Sequence, residues 1–118
     1  MKVTRADYPL AETRPDEVKG QRGLKLSSIT LDAVLAGEVT MEDLRITPEA
    51  LRAQADIARD AGRPTLARNF ERAAELVAVP QDFVMQVYEL LRPGRATEKQ
   101  QLLDAARTMR ETYGAAGI

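Results

Sequence analysis

From Thr30 onward the chain is cut into short segments by helix start and stop signals, and this punctuation limits its fold more than any other feature. Thr47-Pro48-Glu49 is the strongest of these signals. Threonine caps, proline fits the first helical position, and glutamate faces the positive end of the helix dipole. The helix so opened is expected to run to about Ala61, where Gly62 stops it. Pro64 opens a second, to about Val77, with Leu66, Phe70, Ala73, Ala74 and Val77 at helical spacing. A third begins at Pro80 and runs through Leu91, with Val84, Val87, Tyr88 and Leu91 on one face, and Pro93-Gly94 ends it. Thr97-Glu98-Lys99-Gln100 reads as a capping box ahead of a fourth, which places Leu102, Ala106, Met109 and Tyr113 on one side. Two shorter pieces precede these. Thr30 caps residues 31–36 ahead of a left-handed Gly37, and Thr40-Met41-Glu42-Asp43 opens a single turn through Leu44. No period-2 pattern is long enough for a strand. The fold class is therefore all-α: a small helical domain of about four main helices plus short helical turns.

Residues 1–28 read differently. Pro9, Pro15, Gly20 and Gly23 interrupt them at intervals too short for a long helix, and apolar side chains are sparse. Such a segment buries too little surface to offset its ordering entropy, so it is either disordered or lies along another surface. The expected organisation is an extended N-terminal arm, 1–28, followed by a helical domain, 29–118, in one domain overall. Tyr8, Pro9, Leu10, Leu24 and Leu26 are candidate interface residues, because a polar arm has little other use for them. The body has the same need. Its inner positions include Ala55, Ala58, Ala67, Ala73, Ala74 and Ala78, and each alanine buries little area.

The chemistry open to the chain is narrow. Its 118 residues include no histidine, cysteine or tryptophan. That removes Ser-His-Asp and Cys-His nucleophiles, imidazole and thiolate metal ligands, and disulfides. Asp32, Glu38, Glu42 and Asp43 crowd the short helices and could form a carboxylate pair or an oxygen-ligand cation site. Their places near helix starts assign them instead to capping and dipole compensation. Glu49, Arg52, Asp56, Arg59 and Asp60, and then Arg68, Glu71, Arg72 and Glu75, have the spacing of solvated or partner-facing ion pairs. Gly20-Gln21-Arg22-Gly23 lacks both the preceding strand and the following Gly-Lys-Ser/Thr of a phosphate loop. Helices 48–61 and 64–77 mimic a helix-turn-helix outline, but 17 basic against 18 acidic residues give a net charge of −1, without the electrostatic footprint of a nucleic-acid binder. Neither a membrane span nor the apolar core of a signal peptide is present, which makes a cytoplasmic protein the expectation. The residues by themselves indicate a small helical protein that completes a larger assembly, or else a free-standing helical adaptor.

Specific blocks carry a resemblance. They begin with Asp7-Tyr8-Pro9-Leu10-Ala11 and continue through Ile29-Thr30-Leu31-Asp32-Ala33-Val34-Leu35-Ala36-Gly37-Glu38-Val39. They are densest in Asp43-Leu44-Arg45-Ile46-Thr47-Pro48-Glu49-Ala50-Leu51-Arg52 and in Leu66-Ala67-Arg68-Asn69-Phe70-Glu71-Arg72-Ala73-Ala74-Glu75-Leu76. Ala78-Val79-Pro80 and Tyr88-Glu89-Leu90-Leu91-Arg92-Pro93 complete the set. Over roughly residues 7–93 the chain resembles the small subunit of adenosylcobalamin-dependent diol and glycerol dehydratases. The resemblance implies a partner role with large and medium subunits in a dimer of heterotrimers. Such enzymes convert vicinal diols to aldehydes by a radical mechanism. It further implies that adenosylcobalamin and substrate are held by the other subunits, with no catalytic, cofactor or metal residue here. Longer relatives end in a further charge-rich helix, and those of microcompartment operons carry an extension before the Asp-Tyr-Pro-Leu block. This sequence closes with Tyr113-Gly114-Ala115-Ala116-Gly117-Ile118 and has six residues before that block, so neither contact set is expected of it.

Overall fold

The threonine and glycine signals do locally what their chemistry predicts. In the computed structural model, which describes residues 2–118, Thr47 accepts a hydrogen bond from the Ala50 N–H at 3.1 Å, and helix α4 follows over Pro48–Asp60. Its end is a Schellman turn. Gly62 at φ +78° lets its own N–H reach the Arg59 carbonyl and the Arg63 N–H reach that of Ala58, satisfying two otherwise orphaned groups. Helix α5 runs over Pro64–Leu76, α6 over Gln81–Leu91 and α7 over Lys99–Tyr113. Three shorter helices precede them: α1 (Leu10–Thr13), α2 (Leu31–Leu35) and α3 (Met41–Leu44). Among the described residues there is no strand, only an isolated bridge between Lys19 and Lys25. The all-α expectation holds, with four helices of eleven or more residues.

The cap of α7 differs from the expected one by a residue. Glu98, not Thr97, is the N-cap, and Gln101 at N3 accepts from the N–H groups of both Thr97 and Glu98. A side-chain amide one position later reaches two orphan donors that Gln100 does not.

The chain divides into two compact units, Met1–Ala74 and Glu75–Ile118. In the first unit the N-terminal segment is not fully extended. It makes helical turns at Arg5–Asp7, Pro15–Glu17 and Leu26–Ser28 in addition to α1. Val3 is buried with Ala53 and Ile57 of α4, and Leu10 packs against the same cluster. The Arg5 N–H donates to Asp60 at the end of α4 at 2.7 Å. The segment is held because Ala53 and Ile57 of α4 offer an apolar strip on which Val3 and Leu10 pack. A second cluster joins Ala55 and Ala58 of α4 to Ala67 of α5, with Phe70 beside it, and Arg59 pairs with Glu71 across these helices. Small side chains permit this close approach; of the six expected inner alanines, Ala73 is half-buried and Ala78 exposed.

The second unit closes on Val79, Met109 and Ala115, with Leu76, Phe83, Val84, Val87 and Tyr113 packed around them. The Phe83 and Tyr113 rings meet at 5.4 Å and 42°. The expected inner faces are partly rotated. Tyr88 and Leu91 of α6 and Leu102 and Ala106 of α7 are exposed, while Phe83, Val84 and Val87 form the packed side of α6.

Candidate subunit-docking surface

Between Ile29 and Ile46 the usual distribution of side chains is inverted. Helix α2 is capped by Thr30, whose hydroxyl accepts from the Ala33 N–H at 3.1 Å, and it ends before Gly37 at φ +77°. A five-residue helix needs this help, since one turn of backbone bonds does not offset its own nucleation. Yet what it buries is only Ala33. Leu31 and Leu35, 73% and 77% exposed, share a face with Val34 at positions i, i+4 and i+3, and that face points to solvent. The next helix repeats the arrangement: α3 leaves Met41 74% exposed and Leu44 exposed, and Ile46 just beyond it is exposed as well. Large apolar groups gathered in one short stretch and facing water make this stretch a candidate interaction surface.

Asp43, in contrast, is buried, its carboxylate wholly shielded from solvent. One oxygen accepts from the Thr40 N–H at 2.8 Å, which closes the capping box expected at Thr40. Both oxygens receive Arg22, whose Nε donates to Oδ1 at 2.8 Å and Nη2 to Oδ2 at 2.5 Å. Arg22 Nη2 also donates to the Glu38 carbonyl at 2.8 Å. The Arg22 fork, followed by the Thr40 N–H, holds the Asp43 carboxyl down at about 2 against the opposing effect of burial. Beside this pair, Gln21 donates to the Ile46 carbonyl at 2.7 Å. Gly20 lies so close that a Cβ there would collide with the Asp43 carbonyl group. The Gly20-Gln21-Arg22-Gly23 turn is therefore a clamp on residues 38–46. Of the four acids crowded in sequence, Asp43 forms the capping box and this ion pair, and among the described residues no group of three or more acidic side chains could hold a metal ion.

The residues singled out in the N-terminal segment fall in different settings. Tyr8 is 69% exposed and Leu26 is also exposed, whereas Pro9 and Leu24 are half-buried and Leu10 joins the Val3 cluster. Sequence reasoning missed Leu31, Val34, Leu35, Met41, Leu44 and Ile46. The available signal was length: helices of four and five residues cannot enclose two or three large apolar side chains each. No helix among the described residues is long and apolar enough to cross a membrane, so this apolar surface is not part of a helical span.

Comparison with known proteins bears on what such a surface meets. Residues 3–118 match the family described as dehydratase small subunit. The chain is 52% identical over 110 residues to the propanediol dehydratase small subunit of Salmonella typhimurium, an alignment covering 93% of this chain and 63% of that protein. It is likewise 52% identical over 114 residues to the propanediol dehydratase small subunit of Citrobacter freundii, covering 97% of this chain and 64% of the relative. The chain thus spans somewhat less than two thirds of the length of these curated relatives.

Proposed function

The chain belongs to the dehydratase small-subunit family, and from that premise we propose that it is the non-catalytic small subunit of a coenzyme B12-dependent diol dehydratase. In this reading it packs on the large subunit within a cytoplasmic dimer of heterotrimers made of large, medium and small chains. The assembled enzyme dehydrates vicinal diols such as propane-1,2-diol or glycerol to aldehydes by a radical mechanism. Adenosylcobalamin supplies the radical. The resemblance assigns the cofactor to the other subunits.

The observation that carries the docking role is the outward apolar face of α2 and α3. Fully burying one leucine or methionine side chain is worth about 1.5–3 kcal/mol. Leu31, Leu35, Met41 and Leu44 together could supply on the order of 5–10 kcal/mol before the costs of association. A free protein forgoes that stabilisation, and a subunit recovers it on assembly. Co-purification tests the reading: with tagged large and medium subunits co-expressed, this chain is expected in the complex and required for full coenzyme-dependent activity. Full activity from the other two subunits alone would refute it.

A further inference from the structure

Helices α2 and α3 present their apolar groups without a core of comparable size beneath them. Between Ile29 and Ile46 only Ala33, Val39 and Asp43 are buried, and none of the three belongs to the apolar clusters of the unit. Some other force must fix the segment, and the polar contacts show which. The Gly20–Gly23 turn grips it at three places: the Glu38 carbonyl just after α2, the Asp43 carboxylate inside α3, and the Ile46 carbonyl just after α3. The turn is itself pinned. The Gly20 N–H donates to Leu24 and the Gly23 N–H to Gly20, both at 3.0 Å. Gly20 lies so close to the Asp43 backbone that a Cβ there would collide with it, so the turn packs directly on the helix.

We propose that Arg22 and Asp43 form a latch that holds residues 38–46 in the conformation in which Met41, Leu44 and Ile46 are offered to the partner subunit. They are positioning residues, acting on the docking surface without belonging to it. The proposal rests on the docking role given above. A guanidinium is suited to this task because its planar fork engages both carboxylate oxygens and still has a donor for a third acceptor. Lysine carries the charge but not the fork. Opening of the latch removes the competent conformer from solution, and association then slows in proportion to the fraction lost.

The full-length chain and a purified large–medium subunit complex provide the test. Arg22→Met keeps the stem and deletes the donors; Arg22→Lys keeps the charge; the double variant Leu35→Ala/Met41→Ala trims the surface and spares the latch. Three quantities are read: amide exchange of residues 38–46, amide exchange of α4 and α5, and association and dissociation rates with the complex. Arg22→Met is expected to bring exchange in 38–46 close to the unprotected rate, as a tenfold loss of the competent conformer requires, while α4 and α5 keep their protection. It should slow association by about tenfold with little change in dissociation, and Arg22→Lys should not restore either rate. The surface variant should instead act mainly on dissociation. Wild-type exchange and association in Arg22→Met would overturn the latch while leaving the docking role intact. Loss of protection throughout α4 and α5, or failure to fold, would overturn it too, by making the pair a general determinant of the fold. If trimming Leu35 and Met41 leaves both rates unchanged, the docking role is what fails, and local exchange alone then judges the latch.

Discussion

Substituting Gly20 by alanine drives a methyl group into a backbone that has nowhere to go. The added Cβ would stand 3.1 Å from the carbonyl carbon of Asp43 and 3.2 Å from its Cα, with the carbonyl oxygen inside contact distance. The obstacle is main chain inside a capped helix, so no rotamer change relieves it. Two responses remain. If the turn stays docked, the overlap is absorbed as distortion, at about 1–3 kcal/mol. If the turn lifts, the Gln21–Ile46 hydrogen bond is lost at ~1 kcal/mol, and Asp43 is left buried without its guanidinium. The less costly response sets the outcome, so Gly20→Ala should destabilise the protein by about 1–3 kcal/mol, with the loss centred on residues 18–24 and 38–46. Gly37→Ala is the informative control. Nothing lies within 4 Å of its Cβ, so its cost arises only from the left-handed backbone at φ +77°, and the amides of the Gly20–Gly23 turn should stay protected. Urea unfolding of the two variants, followed residue by residue through amide exchange, separates the cases. A Gly20→Ala protein within ~0.5 kcal/mol of the parent, with the turn still protected, would show that this close approach constrains nothing.

Two further outcomes follow from the same geometry. Ala67 is wholly enclosed by Ala55, Ala58 and Phe70, so Ala67→Leu should cost about 1–3 kcal/mol by forcing α4 and α5 apart, measurable as a lowered urea midpoint. Acid should open the latch. Asp43 is held at about 2, below its ordinary 3.8, so the stabilisation it gives is complete above the ordinary value and is lost as pH falls from about 4 towards 2. Asp7, lowered by the Thr4 N–H and by Arg14, titrates in the same direction. Asp43→Asn should flatten the acid limb of a stability–pH profile without abolishing the part due to Asp7, and an unchanged limb would contradict the pairing.

What the sequence disclosed is what is local. Thr30, Thr40 and Thr47 cap within three residues of themselves, and Gly37 and Gly62 end helices through their own φ, so each acts as its neighbours alone dictate. The block resemblance was legible for a related reason, since it also depends on runs of adjacent residues. Contacts between distant residues left no such trace. Leu10 reads from the sequence as an interface residue because the strip on α4 that receives it, beside Val3, lies about fifty residues away. Arg22 and Asp43 are separated by 21 positions, one in a turn without a phosphate-loop pattern and the other in a row of acids explained by capping. Both local readings were sound, and neither could contain the pair. The rotation of α6, with Phe83 inward and Tyr88 outward, depends on Tyr113 of another helix.

The alanine seam between α4 and α5 has a calorimetric consequence. Heat capacity of unfolding follows the apolar area newly exposed to water, commonly about 12–15 cal/mol/K per residue. Here methyl groups form much of the buried contact, while Leu31, Leu35 and Met41 are already hydrated in the folded chain. The free protein therefore has less apolar surface left to release on melting than its length suggests, and its stability curve is correspondingly shallow. In the proposed assembly the missing heat capacity is deferred to the association step, where hydration around the exposed side chains is shed.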